Sequence, residues 1–179
     1  MIVLGIDPGS HATGFGVIEV FQSEERLLDF GVIKLRPDES HQLRLKTIYS
    51  DLCQLIGLYL PDTCAVEMPV YGKNAQSMLK LGRAQAAAML AALNHEIPVT
   101  EYTPKEVKKA VTGNGNASKE QVQYMVRSIL AVDESIKMRH DASDALAVGL
   151  CHAQRNRTPQ QKRYRDWKSF LKENPDRIG

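Results

Sequence analysis

Four carboxylates in this chain fall where the local pattern ends a strand or opens a helix. Ile2, Val3, Leu4 and Ile6 form a nearly continuous apolar run suited to a central strand covered on both faces. Asp7 follows directly, and Pro8-Gly9 then turns the chain, which leaves the carboxylate at the strand's exposed end. Gly14 and Gly16 are expected to let the returning chain pass close to that carboxylate, since glycine carries no Cβ. Glu67 stands just beyond the apolar stretch Thr63 to Val66, and Asp141 and Asp144 lie three apart at a helix start, so both point from one face. Each has a plainer reading when taken alone: Asp-Pro-Gly is a turn, and acids in a first helical turn favour the helix dipole.

As a set, with no Cys or His at ligand spacing, the four acids form a hard oxygen site suited to Mg²⁺ or Mn²⁺, with the Asp141–Asp144 pair able to hold one ion between them. Hydrolysis of a phosphodiester needs a water made nucleophilic at neutral pH and a stabilised leaving oxygen, and two ions about 3.5 to 4 Å apart supply both. Asp7, fixed on the central strand, is the candidate to bridge two such ions. Lys119 opens a helix after the Gly113 to Ala117 segment, expected to be a flexible loop, and its charge suits a transition-state phosphate. A solvated surface lysine is the plainer alternative. His11 and His140 adjoin the proposed ligands but suit an oxygen site poorly, and are expected to be exposed or to sit behind the ligands.

The elements that must carry these residues alternate. Gly14 to Val20 and Leu27 to Leu35 read as strands joined across the polar Gln22 to Arg26. Leu43, Leu45, Ile48, Leu52, Leu55, Ile56 and Tyr59 recur at helical spacing and Pro61 closes that segment. Gln76 to Asn94 is a helix rich in small residues, and Ala84, Ala87, Ala88 and Ala91 form a strip on which a second copy of the chain is expected to pack. Pro98 to Tyr102 reads as a strand. Thr103-Pro104-Lys105-Glu106 and Ser118 with Gln121 are capping boxes that open two helices, and a last helix runs from near Arg139 through His152.

At 179 residues the chain suits one well-buried domain, placed at 1–153, with a tail at 154–179. The net charge of +2 hides an uneven distribution: from Arg155 onward there are eight basic residues against three acids, so the remainder carries −3. A basic end suits a polyanionic partner or a solvated tail, and Tyr164, Trp167, Phe170 and Leu171 mark a short amphipathic helix within it. Cys53, Cys64 and Cys151 lack metal spacing and read as buried thiols of a reducing compartment. With no apolar run of membrane length and no leader, the expected location is cytoplasmic.

The motifs also occur in a recognisable order. Gly5-Ile6-Asp7-Pro8-Gly9 with Thr13-Gly14-Phe15-Gly16, then Val66-Glu67, Leu79-Lys80-Leu81-Gly82-Arg83-Ala84, Val107-Lys108 with Val111-Thr112-Gly113, Lys119-Glu120-Gln121-Val122 and Asp141-Ala142-Ser143-Asp144-Ala145-Leu146-Ala147 resemble the RuvC family of Holliday-junction resolvases over about residues 1–153. The resemblance implies an α/β, ribonuclease H-like fold with a mixed five-stranded sheet flanked by helices on both faces. It implies a homodimer that nicks two opposed strands of a four-way DNA junction, working with a RuvA–RuvB branch-migration complex. Asp7, Glu67, Asp141 and Asp144 match the family's metal-binding acids, and Lys108 and Lys119 its basic residues beside the scissile phosphate. On the same ground Tyr71, Lys73 and Arg83 are assigned to DNA. Two positions depart from the family: Val70-Tyr71 stands where a phenylalanine is common, leaving the base-stacking residue open between them, and Ala86 replaces a usual glycine.

Three rival readings accompany this one. Asp7-Pro8-Gly9-Ser10 also resembles the phosphate loop of sugar kinases and chaperone-type ATPases, but those carry two such halves and this chain holds one. A junction-binding module that does not cut, and a ribonuclease H-like nuclease acting on RNA, are the other two.

Overall fold

The computed structural model describes residues 1–22, 24–69 and 74–157. Val70, Tyr71, Lys73 and the amphipathic segment of the tail lie outside the described residues.

Strand β1 (Ile2–Asp7) takes the centre because both of its faces are apolar: Val3 joins one core, while Leu4 and Ile6 join the other. Around it the sheet runs β3-β2-β1-β4-β5, with β2 at Ala12–Phe21, β3 at Glu24–Lys34, β4 at Thr63–Glu67 and β5 at Val99–Tyr102. The hairpin partners are antiparallel, whereas β4 and β5 run parallel to β1. Helices α1 (His41–Tyr59) and α2 (Ala75–Leu93) cover one face. Helices α3 (Pro104–Thr112), α4 (Lys119–Ile129) and α5 (His140–Arg157) cover the other. This is the mixed five-stranded sheet with helices on both faces that the motifs implied. No helix among the described residues is long and apolar enough to cross a membrane.

Local signals set most boundaries. Ser40 accepts from the Leu43 amide to open α1, and both capping boxes, Thr103 with Glu106 and Ser118 with Gln121, are formed. The β2–β3 turn is tighter than the polar run Gln22 to Arg26 suggested. Phe21 pairs with Glu24, with Gln22 left-handed at φ 45°, and the polar residues that follow belong to an edge strand with a solvent-facing side.

Helix α5 also runs past His152, where the sequence pattern faded, because a buried polar network carries it on. The Asn156 amide donates to His152 Nε2 at 2.9 Å, which leaves the ring proton on Nδ1 to donate to the Tyr102 hydroxyl at 2.8 Å. The thiols behave as expected: Cys64 and Cys151 are buried and free.

Two expectations are corrected by the packing. Gly14 and Gly16 make room for α5 as well as for the returning strand: a Cβ on Gly14 would lie 1.9 Å from the Asp141 carbonyl oxygen, and one on Gly16 would lie 2.5 Å from Leu146. The alanine strip of α2 is not a free face. Ala84, Ala88, Ala91 and Ala92 are fully buried within the monomer against Leu52, Ile56, Val66 and Ile97, because small side chains let α2 lie close to α1 and the sheet. The outward side of α2 instead carries Leu79, Leu90 and Leu93, at least half exposed.

Ala88→Glu therefore places an unpaired charge in the core of the monomer, at a cost of about 3 to 5 kcal/mol. The variant should lose its circular dichroism melt at room temperature. A variant that stays folded and merely sediments differently would return the strip to a subunit contact.

Candidate active site

Strand parity brings the first two acids together. In the parallel pairing of β1 with β4, Ile6 is opposite Val66, so Asp7 and Glu67 are the next neighbours. Side chains alternate along each strand, and Val3 and Ala65 face the α3–α5 core. Asp7 and Glu67 are even-numbered steps from them and share that face, half-buried at its rim.

The third acid arrives on α5. A Cβ on Gly5 would stand 2.2 Å from the Ala145 carbonyl oxygen, so helix backbone rests on strand backbone there, and the first turn of α5 lies over Gly14, the cross-strand partner of Asp7. The same end receives Lys119, the first residue of α4, whose Nζ donates to Asp144 Oδ2 at 2.9 Å. The segment before Lys119 is knitted rather than loose. The Asn114 amide donates to Thr112 Oγ1 at 3.1 Å, the Asn116 amide to Asn114 Oδ1 at 3.0 Å and the Ala117 amide to the Asn114 carbonyl at 3.1 Å.

Each acid has found its own neutralising partner. Glu67 hydrogen-bonds to Asp7, and both carboxyls are pushed above the ordinary range, first by burial and then, for Glu67, by the charge of Asp7. Asp144 also raises both, and Asp141 adds to the effect on Asp7. The pair thus shares a proton near neutral pH and titrates as a unit. Lys119 is held more firmly protonated by its hydrogen bond to Asp144.

Asp141 turns to the rim, where it pairs with Arg139 at 3.4 Å and leaves its side chain 35% exposed against 16% for Asp144. The expected Asp141–Asp144 clasp around one ion is thus not formed: two like charges repel, and each has taken a separate cation. Among the described residues no three acidic, histidine or cysteine side chains converge at metal-site spacing. The four acids share one end of the fold as a field of negative charge, balanced by a proton and two side-chain cations.

The remaining predicted residues are spread more widely. Lys108 is half-buried on α3 and makes none of the ion pairs seen among the described residues, and Arg83 is exposed on α2. His11 and His140 are exposed, His11 against Ser10 Oγ at 3.0 Å. Sequence reasoning missed Arg44, which donates to the Ser10 carbonyl at 3.3 Å and the Pro37 carbonyl at 2.7 Å, and so ties the turn after Asp7 to α1. It also missed the role of Gly5, although a glycine inside an apolar strand is itself a sign of close backbone approach.

The geometry can be set beside known proteins. The sequence model of the family described as "Crossover junction endodeoxyribonuclease RuvC" matches residues 3–152. The curated protein of that name from Salinibacter ruber is 54% identical over 178 residues, covering 99% of both chains. The chain belongs to the RuvC family. A Porphyromonas gingivalis RuvC is 45% identical, covering 99% of this chain and 96% of its own. The solved structure of Thermus thermophilus RuvC in complex with Holliday junction substrate aligns with a TM-score of 0.80 at 36% identity, over 88% of this chain and 95% of that one. The sheet and helices described above are accordingly the ribonuclease H-like fold of RuvC.

The shared proton gives this RuvC-family chain a testable pH dependence. Because both folded pKa values are raised, the folded chain binds more protons than the unfolded chain above about pH 4, and stability falls as pH rises from there through the folded values. Glu67→Gln removes one titrating member of the pair. In chelator, the variant should melt higher than the parent at pH 7 to 8, with the gap closing towards pH 4. A gap independent of pH would mean that the pair does not hold a proton.

Proposed function

We infer that the chain is a crossover junction endodeoxyribonuclease that resolves four-way (Holliday) DNA junctions by paired, symmetric nicks, in DNA recombination and repair. The observation that carries this reading is RuvC membership along almost the whole chain, joined to four acids and a lysine at one end of the central strand.

RuvC-family nucleases are metal-dependent. The donor chemistry suits Mg²⁺, two per subunit, with Mn²⁺ able to substitute: the ligands offered are all carboxylate oxygens, and the acid pair is buried with one negative charge too many for its surroundings. Asp7, Glu67, Asp141 and Asp144 would hold the ions, which when bound activate a water and stabilise the leaving oxygen. The chain's own part is positioning and charge. Asp7 is fixed by the strand, and Glu67 gives up the shared proton to act as a ligand. Lys119, freed from Asp144, sets its ammonium against the phosphate where charge develops.

Lys108, Lys119, Lys73 and Arg83 contact the DNA backbone, and Tyr71 stacks on an unpaired base. The enzyme works in the cytoplasm with a RuvA–RuvB complex as partner. A four-way junction is about two-fold symmetric, so an isologous dimer with two sites matches it. The seam is the outward face of α2, where Leu79, Ala86, Leu90 and Leu93 follow one another at helical spacing.

Two experiments test this. Asp7→Asn should cut a synthetic four-way junction more than about 100-fold more slowly, beyond the loss expected from merely weakening a ligand's support, while its affinity for the junction hardly changes. Wild-type chain that binds the junction and never nicks it in Mg²⁺ would be a binding module, and preferential cleavage of RNA would redirect the reading to that substrate. Separately, Leu90→Glu, an exposed position, should leave the fold intact and shift the sedimenting species from dimer to monomer. A variant that stays dimeric places the seam elsewhere.

A further inference from the structure

A group of like charges lies on the opposite face of the sheet from α5, at the same end as the acids. Chain geometry puts it there. Lys34 at the end of β3 pairs with Ala12, and the Leu35 amide donates to the His11 carbonyl at 3.3 Å, so the chain enters α1 beside the turn that follows Asp7. Arg44 then reaches across to the Ser10 carbonyl.

Around it stand His41 on α1 and Lys80 and Arg83 on α2. His41 is held below its ordinary pKa, first by desolvation and then by the charges of Arg83, Lys80 and Arg44, so the four side chains lie within Coulomb reach of one another.

Nothing among the described residues neutralises them. The nearest acids along the chain, Asp38 and Glu39, are both taken by Arg36, and the other two ion pairs are Lys119–Asp144 and Arg139–Asp141. His41 Nε2 and Arg44 Nε are shut away without a hydrogen-bond partner. Three cations crowding a histidine with no carboxylate to relieve them form an unbalanced arrangement, which an anion landing on Lys80 and Arg83 would offset. Both of those side chains belong to exposed residues.

We propose that His41, Arg44, Lys80 and Arg83 form a second phosphate-binding site, which holds the DNA backbone of the segment adjoining the one that is cut. This rests on the junction-resolving reading above. Arg44 gives the site a mechanical link to catalysis, since the guanidinium beside the bound phosphate is the one that pins the turn following Asp7. Lys80 and Arg83 supply the exposed charges that meet the backbone. The anion is a nucleic-acid phosphodiester because the cluster and the acids border the same end of the sheet, one on each face, so a strand crossing that end meets both.

The test is the salt dependence of binding. Each phosphate neutralised contributes about −0.9 to the slope of log K against log salt on duplex DNA. Lys80→Ala/Arg83→Ala in the full chain should flatten that slope by about 1 to 2 for a synthetic four-way junction, measured by fluorescence anisotropy in chelator, with an unchanged circular dichroism melt. Lys80→Arg/Arg83→Lys, which keeps both charges, should restore the parent slope. If the parent binds and cuts the junction but the alanine pair has the parent slope, the site is refuted and the resolvase reading stands. If the charge-keeping pair behaves like the alanine pair, the residues act through packing and the site is equally refuted. A parent chain with no affinity for the junction overturns both.

Discussion

The contact on which the rest of the structure depends is backbone against backbone: α5 rests on β1 and β2 at Gly5, Gly14 and Gly16, where no Cβ can be fitted without meeting Asp141, Ala145 or Leu146. That approach sets the height of α5 above the sheet. It therefore also sets the distance from Asp7 and Glu67, which the strands carry, to Asp144, which the helix carries. A single added methyl group at Gly5 would lift the helix or bend the strand, in a core where even one extra carbon is resisted. The catalytic geometry is thus determined by the absence of side chains as much as by the acids themselves.

The acids are gathered before they are neutralised by any cation from outside. Burying like charges is unfavourable, and the protein answers with a shared proton at Asp7 and Glu67, an ammonium at Asp144 and a guanidinium at Asp141. Each of these is replaceable, since a proton dissociates and the Lys119 and Arg139 side chains are more than half exposed. The fold so preserves a strongly negative site without letting it collapse into a rigid network.

Much of this was legible in the sequence because it is local. Strand ends marked by Asp7 and Glu67, capping boxes at Thr103 and Ser118, and the helical periodicity of α1 all follow from short-range chemistry, and they fixed the two-faced sheet. What was not legible depends on which face meets what. The alanine strip of α2 has the composition of an interface and the burial of a core, and only the position of α1 decides between them. Asp141 and Asp144 share a helix face, yet Arg139 and Lys119 draw them to different partners, which spacing alone does not reveal. Arg44 gave no signal at all, because its partners are carbonyls of Ser10 and Pro37 and any residue supplies a carbonyl.

The seat of α5 on β1 joins nearly the first residues of the chain to nearly the last of its described helices. During synthesis from the N-terminus, Asp7 emerges at once, and its hairpin with β2 and β3 can form early from local pairing. The surface that covers it, however, is encoded in residues 140–157 and leaves the ribosome much later. A nascent chain therefore exposes Gly5 and Gly14 as an open groove and holds no completed acid cluster. A nuclease whose site closes only when its final helix arrives cannot act on DNA while still attached to the machinery making it, and a truncated chain ending before α5 would be inert.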